Sequence, residues 1–194
     1  MSRNDADTPL EHAELNLARR LEGLRDHPLA KALGPVSELA DQPPMVGLSA
    51  AALLAGLVLG RPRLARLGVQ ALASVLLATG AKHVIKHTVT RSRPHKLLDE
   101  HEYKRGTGGS EQKGEQSFPS GHTADAVAAA CAIARVYPRA AAPAAVFAGL
   151  AGVAQPIRAA HYPTDVAAGA AIGWAAEQLV ERAVRAFATR AAPS

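Results

Sequence analysis

The 194-residue sequence contains one cysteine, Cys131, so no intramolecular disulfide can form. Cys131 lies in the run AVAAACAIA and reads as a small buried side chain. Aromatic residues make up only 4% of the chain, whereas apolar residues reach 48% and are mainly Ala, Leu and Val. That composition favours helices over strands, and the fold class expected is all-α. The opening stretch MSRNDADTPLEHAELNLARR has acidic residues and lacks an apolar core, so it does not read as a cleavable secretory signal. Basic residues outnumber acidic ones, for a net charge of +5. The arginines are scattered, however, and no aromatic-basic interleaving accompanies them, which argues against a nucleic-acid partner. No carboxylate-rich or Cys/His cluster has metal-ligand spacing, so neither a metal nor another cofactor is expected. No internal repeat is evident.

Mean hydropathy is near zero, but this average hides a strong segregation of charge. Residues 43–60, PPMVGLSAAALLAGLVLG, carry no charge. At about 1.5 Å rise per residue such a run spans most of a bilayer's hydrocarbon core. A second run extends from Leu67 to Ala81, interrupted by Gln70, and continues as helix to about Ile85. Three more cover 121–137, 140–157 and 164–181. Each alone would also suit a buried helix of a soluble bundle. Arginines punctuate them at Arg61, Arg63 and Arg66, at Arg135 and Arg139, and at Arg182, Arg185 and Arg190. With five spans these clusters fall on one side, cytoplasmic by the positive-inside rule, and residues 91–120 and 161 share the other. The expectation is a polytopic bundle of about five transmembrane helices over 43–190. It is preceded by an N-terminal amphipathic segment over 1–42 that lies on the membrane surface or packs on the bundle. Residues 105–117, RGTGGSEQKGEQS, are expected to be irregular and mobile.

Three short stretches at the ends of apolar runs concentrate chemistry. In KHTVTRSRP, Lys86 and Arg93 are two cations near a helix end, able to neutralise a phosphate or to meet lipid headgroups. In FPSGHTAD, Ser120 is placed as an N-cap and Gly121 permits close approach to the first-turn N–H groups, an arrangement that binds anions or simply starts a helix. His122 sits in that first turn, where a titratable ring is costly without a partner or a task. In RAAHYPTDVAAG, Pro163 suits a first helical position, and Asp165 can turn back toward His161 four residues earlier.

Taken together, Lys86, Arg93 and Pro94, then Pro119, Ser120, Gly121 and His122, then His161 and Asp165 resemble the three signature motifs of the type 2 phosphatidic acid phosphatase superfamily. That family includes lipid phosphate phosphatases, bacterial acid phosphatases and vanadium haloperoxidases. The resemblance implies a helical bundle that gathers the motifs at one membrane face. It also implies His161 as nucleophile, Asp165 as its orienting acid, His122 as the acid for the leaving group, and Lys86, Arg93, Ser120 and Gly121 around the phosphate. A lipid phosphate would be the substrate and the bacterial plasma membrane the location, with the site facing outward. The third motif departs from the family pattern, because the usual Ser-Arg before the histidine is here Ala154 and Gln155. Arg158 is the nearest substitute expected on the phosphate. The departure keeps a catalytically impaired lipid-binding relative as an alternative, with a haloperoxidase behind it.

Overall fold

The computed structural model describes residues 8–191. Its helices are α1 (Pro9–Leu21), α2 (Pro28–Leu39), α3 (Gln42–Val58), α4 (Pro62–Lys86), α5 (Pro94–Glu100), α6 (Gly121–Val136), α7 (Ala141–Ile157) and α8 (Pro163–Ala191). Five of them begin on proline, whose fixed φ and missing N–H suit the first helical position. Asp41 caps α3 through the Gln42 N–H at 2.9 Å, and Ser120 caps α6. Two stretches, Pro62–Lys86 and Pro138–Ile157, are long and apolar enough to cross a membrane, and Gln42–Val58 is apolar but shorter. The second run begins earlier than expected, so Arg63 and Arg66 occupy the first turns of α4 instead of a loop.

The interior is made of small residues. Ala78, Ala124, Ala128 and Ala176 surround Val75 where α4, α6 and α8 meet. Gly169 and Gly173 on α8 face α6 so closely that a Cβ at either would overlap the carbonyl oxygen of Ser120 or Ala124. Leu54, Leu57, Val58, Val84, Val153, Trp174 and Phe187 instead point outward and are exposed. A water-soluble core is normally built the other way round, whereas close-packed small residues with large apolar ones outside suit helices in lipid.

At one end of the bundle, buried Glu177 on α8 accepts from Gln70 of α4 at 3.0 Å and from Arg135 of α6 at 2.5 and 2.7 Å. Glu181 adds Arg185 at 2.5 Å and Arg66 at 3.6 Å. Arg66 near the start of α4, Arg135 near the end of α6 and Arg185 in the C-terminal part of α8 therefore gather at this end. α4 and α7 finish at the opposite end, where α6 and α8 begin. There α1 packs Leu15 and Ala18 against Leu97, Tyr103 and Tyr162, and α2 with Ala40 packs against Ala126, Ala148 and Ala151.

Residues 105–117 differ from the expectation of an irregular loop. Strand β1 (Val89–Arg91) pairs antiparallel with β2 (Arg105–Thr107), Val89 facing Thr107. Buried Glu115 then accepts from Lys96 and Lys104, each at 2.8 Å, and from Ser110 at 2.9 Å. Lys104 and Lys96 hold the Glu115 carboxyl down at about 2, so it stays charged and the segment stays clamped. Composition could not reveal this, since the β-branched partner strand lies 16 residues upstream of a Gly-rich stretch.

Candidate active site

A pocket of about 180 Å³ opens where α4, α6 and α7–α8 converge. Thr79, Lys82, His83 and Lys86 line it from α4, Gly121 and His122 from α6, and Asp41 and Gln42 from the start of α3; Arg93 and His161 complete it. A larger apolar groove of about 410 Å³ between α6, α7 and α8 contains Cys131 and otherwise little chemistry. The smaller cavity is the candidate site, because it collects titratable groups from several segments.

His161 follows the end of α7, where Ala159 turns the chain in the left-handed region at φ 52°. Its ring is fully buried, and Nδ1 lies 2.6 Å from the Ser117 carbonyl oxygen, which can only accept. Nδ1 therefore carries the proton and Nε2 keeps its lone pair. Burial lowers the imidazole to about 4; the cations Arg93 and Lys86 add to this, against the opposing pull of Asp165. The ring is therefore neutral at physiological pH, as a nitrogen nucleophile must be.

Asp165 is in the first turn of α8, as its spacing from Pro163 implied. Its carboxylate lies 3.8 Å from His161 Nδ1, too long for a hydrogen bond but close enough to favour a cationic ring. Its oxygens are occupied by Arg91 Nη1 at 2.6 Å, Ser117 Oγ at 2.6 Å and the Tyr162 N–H at 2.8 Å. The orienting contact expected from Asp165 is thus made by a backbone carbonyl, with Asp165 behind it. Arg91 is itself held by Glu14 of α1 at 2.7 Å, and Glu14 also accepts from the Thr164 N–H at 2.7 Å. Burial disfavours the Arg91 charge, but Asp165 and Glu14 more than offset this and raise its pKa.

Lys86 donates to the Gln116 carbonyl at 3.2 Å. Arg93 opens α5, and its buried Nε has no hydrogen-bond partner among the described residues. Burial lowers its pKa, so the guanidinium is a desolvated cation in want of an anion. Ser120, expected at the phosphate, is fully buried, and its N–H goes to the Asp165 carbonyl at 3.0 Å. It acts on the site by capping: its hydroxyl takes the Thr123 N–H at 3.4 Å, leaving the Gly121 and His122 N–H groups without intrahelical acceptors.

Arg158 is not brought in. It terminates α7 and donates to Glu38 of α2 at 3.2 Å, outside the pocket lining. Gln155 is buried and donates to Ser37 Oγ at 3.1 Å and the Ala151 carbonyl at 2.9 Å. The left-handed turn at Ala159 separates the end of α7 from His161, so helical spacing does not carry across it. Sequence reasoning missed Lys82, His83 and Asp41. The signal for the first two was a pair of polar residues one turn before Lys86 in an otherwise apolar helix.

Residues 67–187 match the PAP2 superfamily. No curated protein matches the chain. Among solved structures, Aquifex aeolicus LpxE has a similar fold, with a TM-score of 0.62 and 20% identity over 94% of this chain and 99% of that one. The first transmembrane PAP2 type phosphatidylglycerolphosphate phosphatase from Bacillus subtilis aligns with a TM-score of 0.54 and 18% identity over 96% of this chain and 90% of that one. With its signature residues gathered at one pocket and most of its length matching the family, the chain belongs to the PAP2 superfamily.

Proposed function

We propose that the protein is a membrane-embedded lipid phosphatase that cleaves a phosphate monoester or diphosphate through a phosphohistidine on His161, without a metal. The observation that carries this reading is a neutral His161 with a free Nε2 in one small pocket with His122, Lys86 and Arg93. Nε2 attacks phosphorus, the bond to the leaving oxygen breaks, and His122 protonates that oxygen. Lys86, Arg93 and the first-turn N–H groups of α6 take up the charge on the equatorial oxygens. Asp165 favours the cationic ring of the intermediate. Water, deprotonated by His122, then releases phosphate and restores His161.

Residues 43–190 form the membrane-embedded unit, with α3, α4, α6, α7 and α8 as five spans, and the described part of the preceding segment, residues 8–42, lies on the side of the site. The outward-facing leucines and valines and the arginines gathered at the far end support this arrangement, with the pocket on the outer face of a bacterial plasma membrane. Phosphatidic acid, phosphatidylglycerophosphate and undecaprenyl pyrophosphate all present phosphate at the headgroup plane, and a panel of these lipids identifies the substrate.

Purified protein in detergent is expected to release inorganic phosphate from at least one of them and to do so in excess chelator. Rapid quench with labelled substrate should give acid-labile label on the wild type and none on His161→Ala. Label retained on His161→Ala, or turnover abolished by chelator and restored by a divalent ion, would overturn the assignment. The altered third motif favours a second reading, a catalytically silent lipid-phosphate binder. Saturable binding of these lipids with no phosphate released would establish it.

A further inference from the structure

Resting on the phosphatase reading, we infer that Lys82 is a third cation that contacts the substrate phosphate in this site, supplying the positive charge absent at Gln155. Buried Asp125 is the counter-ion that holds its ammonium there.

Lys82 lies one helical turn before Lys86 on α4, and both side chains line the pocket with Arg93. The Lys82 ammonium pairs with the Asp125 carboxylate, whose other oxygen accepts from Thr79 at 3.3 Å. Asp125 is fully buried on α6, one turn after His122. An ammonium has three N–H donors, and Asp125 engages one of them. The ammonium also lies 3.1 Å from where a Gly121 side chain would begin, so it stands beside the first-turn N–H groups of α6. Charge and backbone donors therefore stand together in the cavity that Lys86 and Arg93 also line.

A buried ion pair on apolar helices is weak evidence of a purely stabilising role, because two well-packed apolar residues would serve as well. Gln155 faces Ser37 and Arg158 faces Glu38, so neither provides the third charge. Without Lys82, the pocket would meet the charge of a transferring phosphoryl group with two cations.

The test compares wild type with Lys82→Met, Lys82→Arg, Arg158→Ala and the double variant Lys82→Met/Asp125→Asn, which removes both charges and leaves no lone buried carboxylate. Three readouts are taken in detergent: kcat/KM on the best lipid phosphate, inhibition by orthovanadate, and thermal unfolding. The double variant is expected to unfold within a few degrees of wild type, while kcat/KM falls about 100-fold and orthovanadate inhibition weakens in parallel, as for loss of one transition-state contact. Lys82→Arg retains most of both. Arg158→Ala changes kcat/KM by less than about threefold. A folded double variant with near-normal kcat/KM and orthovanadate affinity overturns the inference, as does a hundredfold loss in Arg158→Ala with none in the double variant. If wild type turns over no lipid, the phosphatase reading fails by itself, and direct calorimetry with orthovanadate decides Lys82. Equal affinity in wild type and double variant, or no binding to either, rejects it.

Discussion

His161 owes its protonation state to its surroundings. An ordinary histidine titrates near 6.5 and would be partly protonated, hence useless as a nucleophile, in mildly acidic medium. Burial and two flanking cations lower this one to about 4, so the neutral ring prevails above that pH and is lost only as pH falls through it. In protein carrying 13C-labelled histidine, the His161 resonance is expected to titrate near 4 and to stay flat across the neutral range. Arg93→Met removes a cation that lowers the value, so the midpoint should move upward. A wild-type midpoint near 6.5 would mean that the ring is solvated and its neutrality is not built into the fold.

At the scale of elements, the site is an alignment of helix ends, and α8 is set against α6 by two glycines. Gly169 meets the Ser120 carbonyl and Gly173 the Ala124 carbonyl, both backbone atoms that cannot turn aside. Gly169→Ala is therefore expected to cost about 1–3 kcal/mol or more through forced separation of the helices. It should also lower activity, because Ser120 caps the turn that carries His122. Gly149→Ala on α7 meets open space and should be neutral or slightly stabilising through helix propensity. Thermal unfolding of both variants in one detergent checks the contrast, and equal Tm values would show that α6 and α8 are not in close contact. Helix α1 acts at the same scale from the other side. Its Glu14 joins Arg91 to the first turn of α8, tying the N-terminal segment to the acid behind His161.

At the scale of the whole molecule, the proposed five spans put the N-terminal helices and the pocket on one side of the membrane and the arginine clusters on the other. In a Cys131→Ser background, Gly108→Cys and Gly23→Cys are expected to react with an impermeant reagent in intact cells, whereas Arg139→Cys should react only after lysis. Protection of Gly108→Cys with labelling of Arg139→Cys would invert the orientation, and opposite behaviour of Gly23→Cys and Gly108→Cys would require an even number of spans. The Glu177 and Glu181 clasp lies at the arginine end. Its partners Gln70, Arg66 and Arg135 come from α4 and α6, so it fastens the bundle far from the chemistry.

The helices were legible in the sequence because uncharged runs, prolines at helix starts and arginines between runs are local signals that need no partner. The candidate pocket was partly legible too: Lys86, Arg93, Gly121, His122 and His161 line one cavity, since their spacings place each at the end of a helix. Contacts between segments far apart in sequence were decided only by the tertiary structure. Asp165 does lie close behind His161, yet its oxygens are taken by Arg91, Ser117 and Tyr162, and the ring instead bonds to a carbonyl 44 residues away. Arg158, the nearest cation to the altered third motif, was expected on the phosphate, but the left-handed turn at Ala159 separates it from His161 and Glu38 of α2 takes the guanidinium. Lys82, which the sequence reading did not single out, gains a counter-ion only because α6 sets Asp125 and Gly121 against it. A sequence determines which residue types stand at which helix end, whereas the partner of a buried charge is chosen by whatever the packed helices bring within about 3 Å of it.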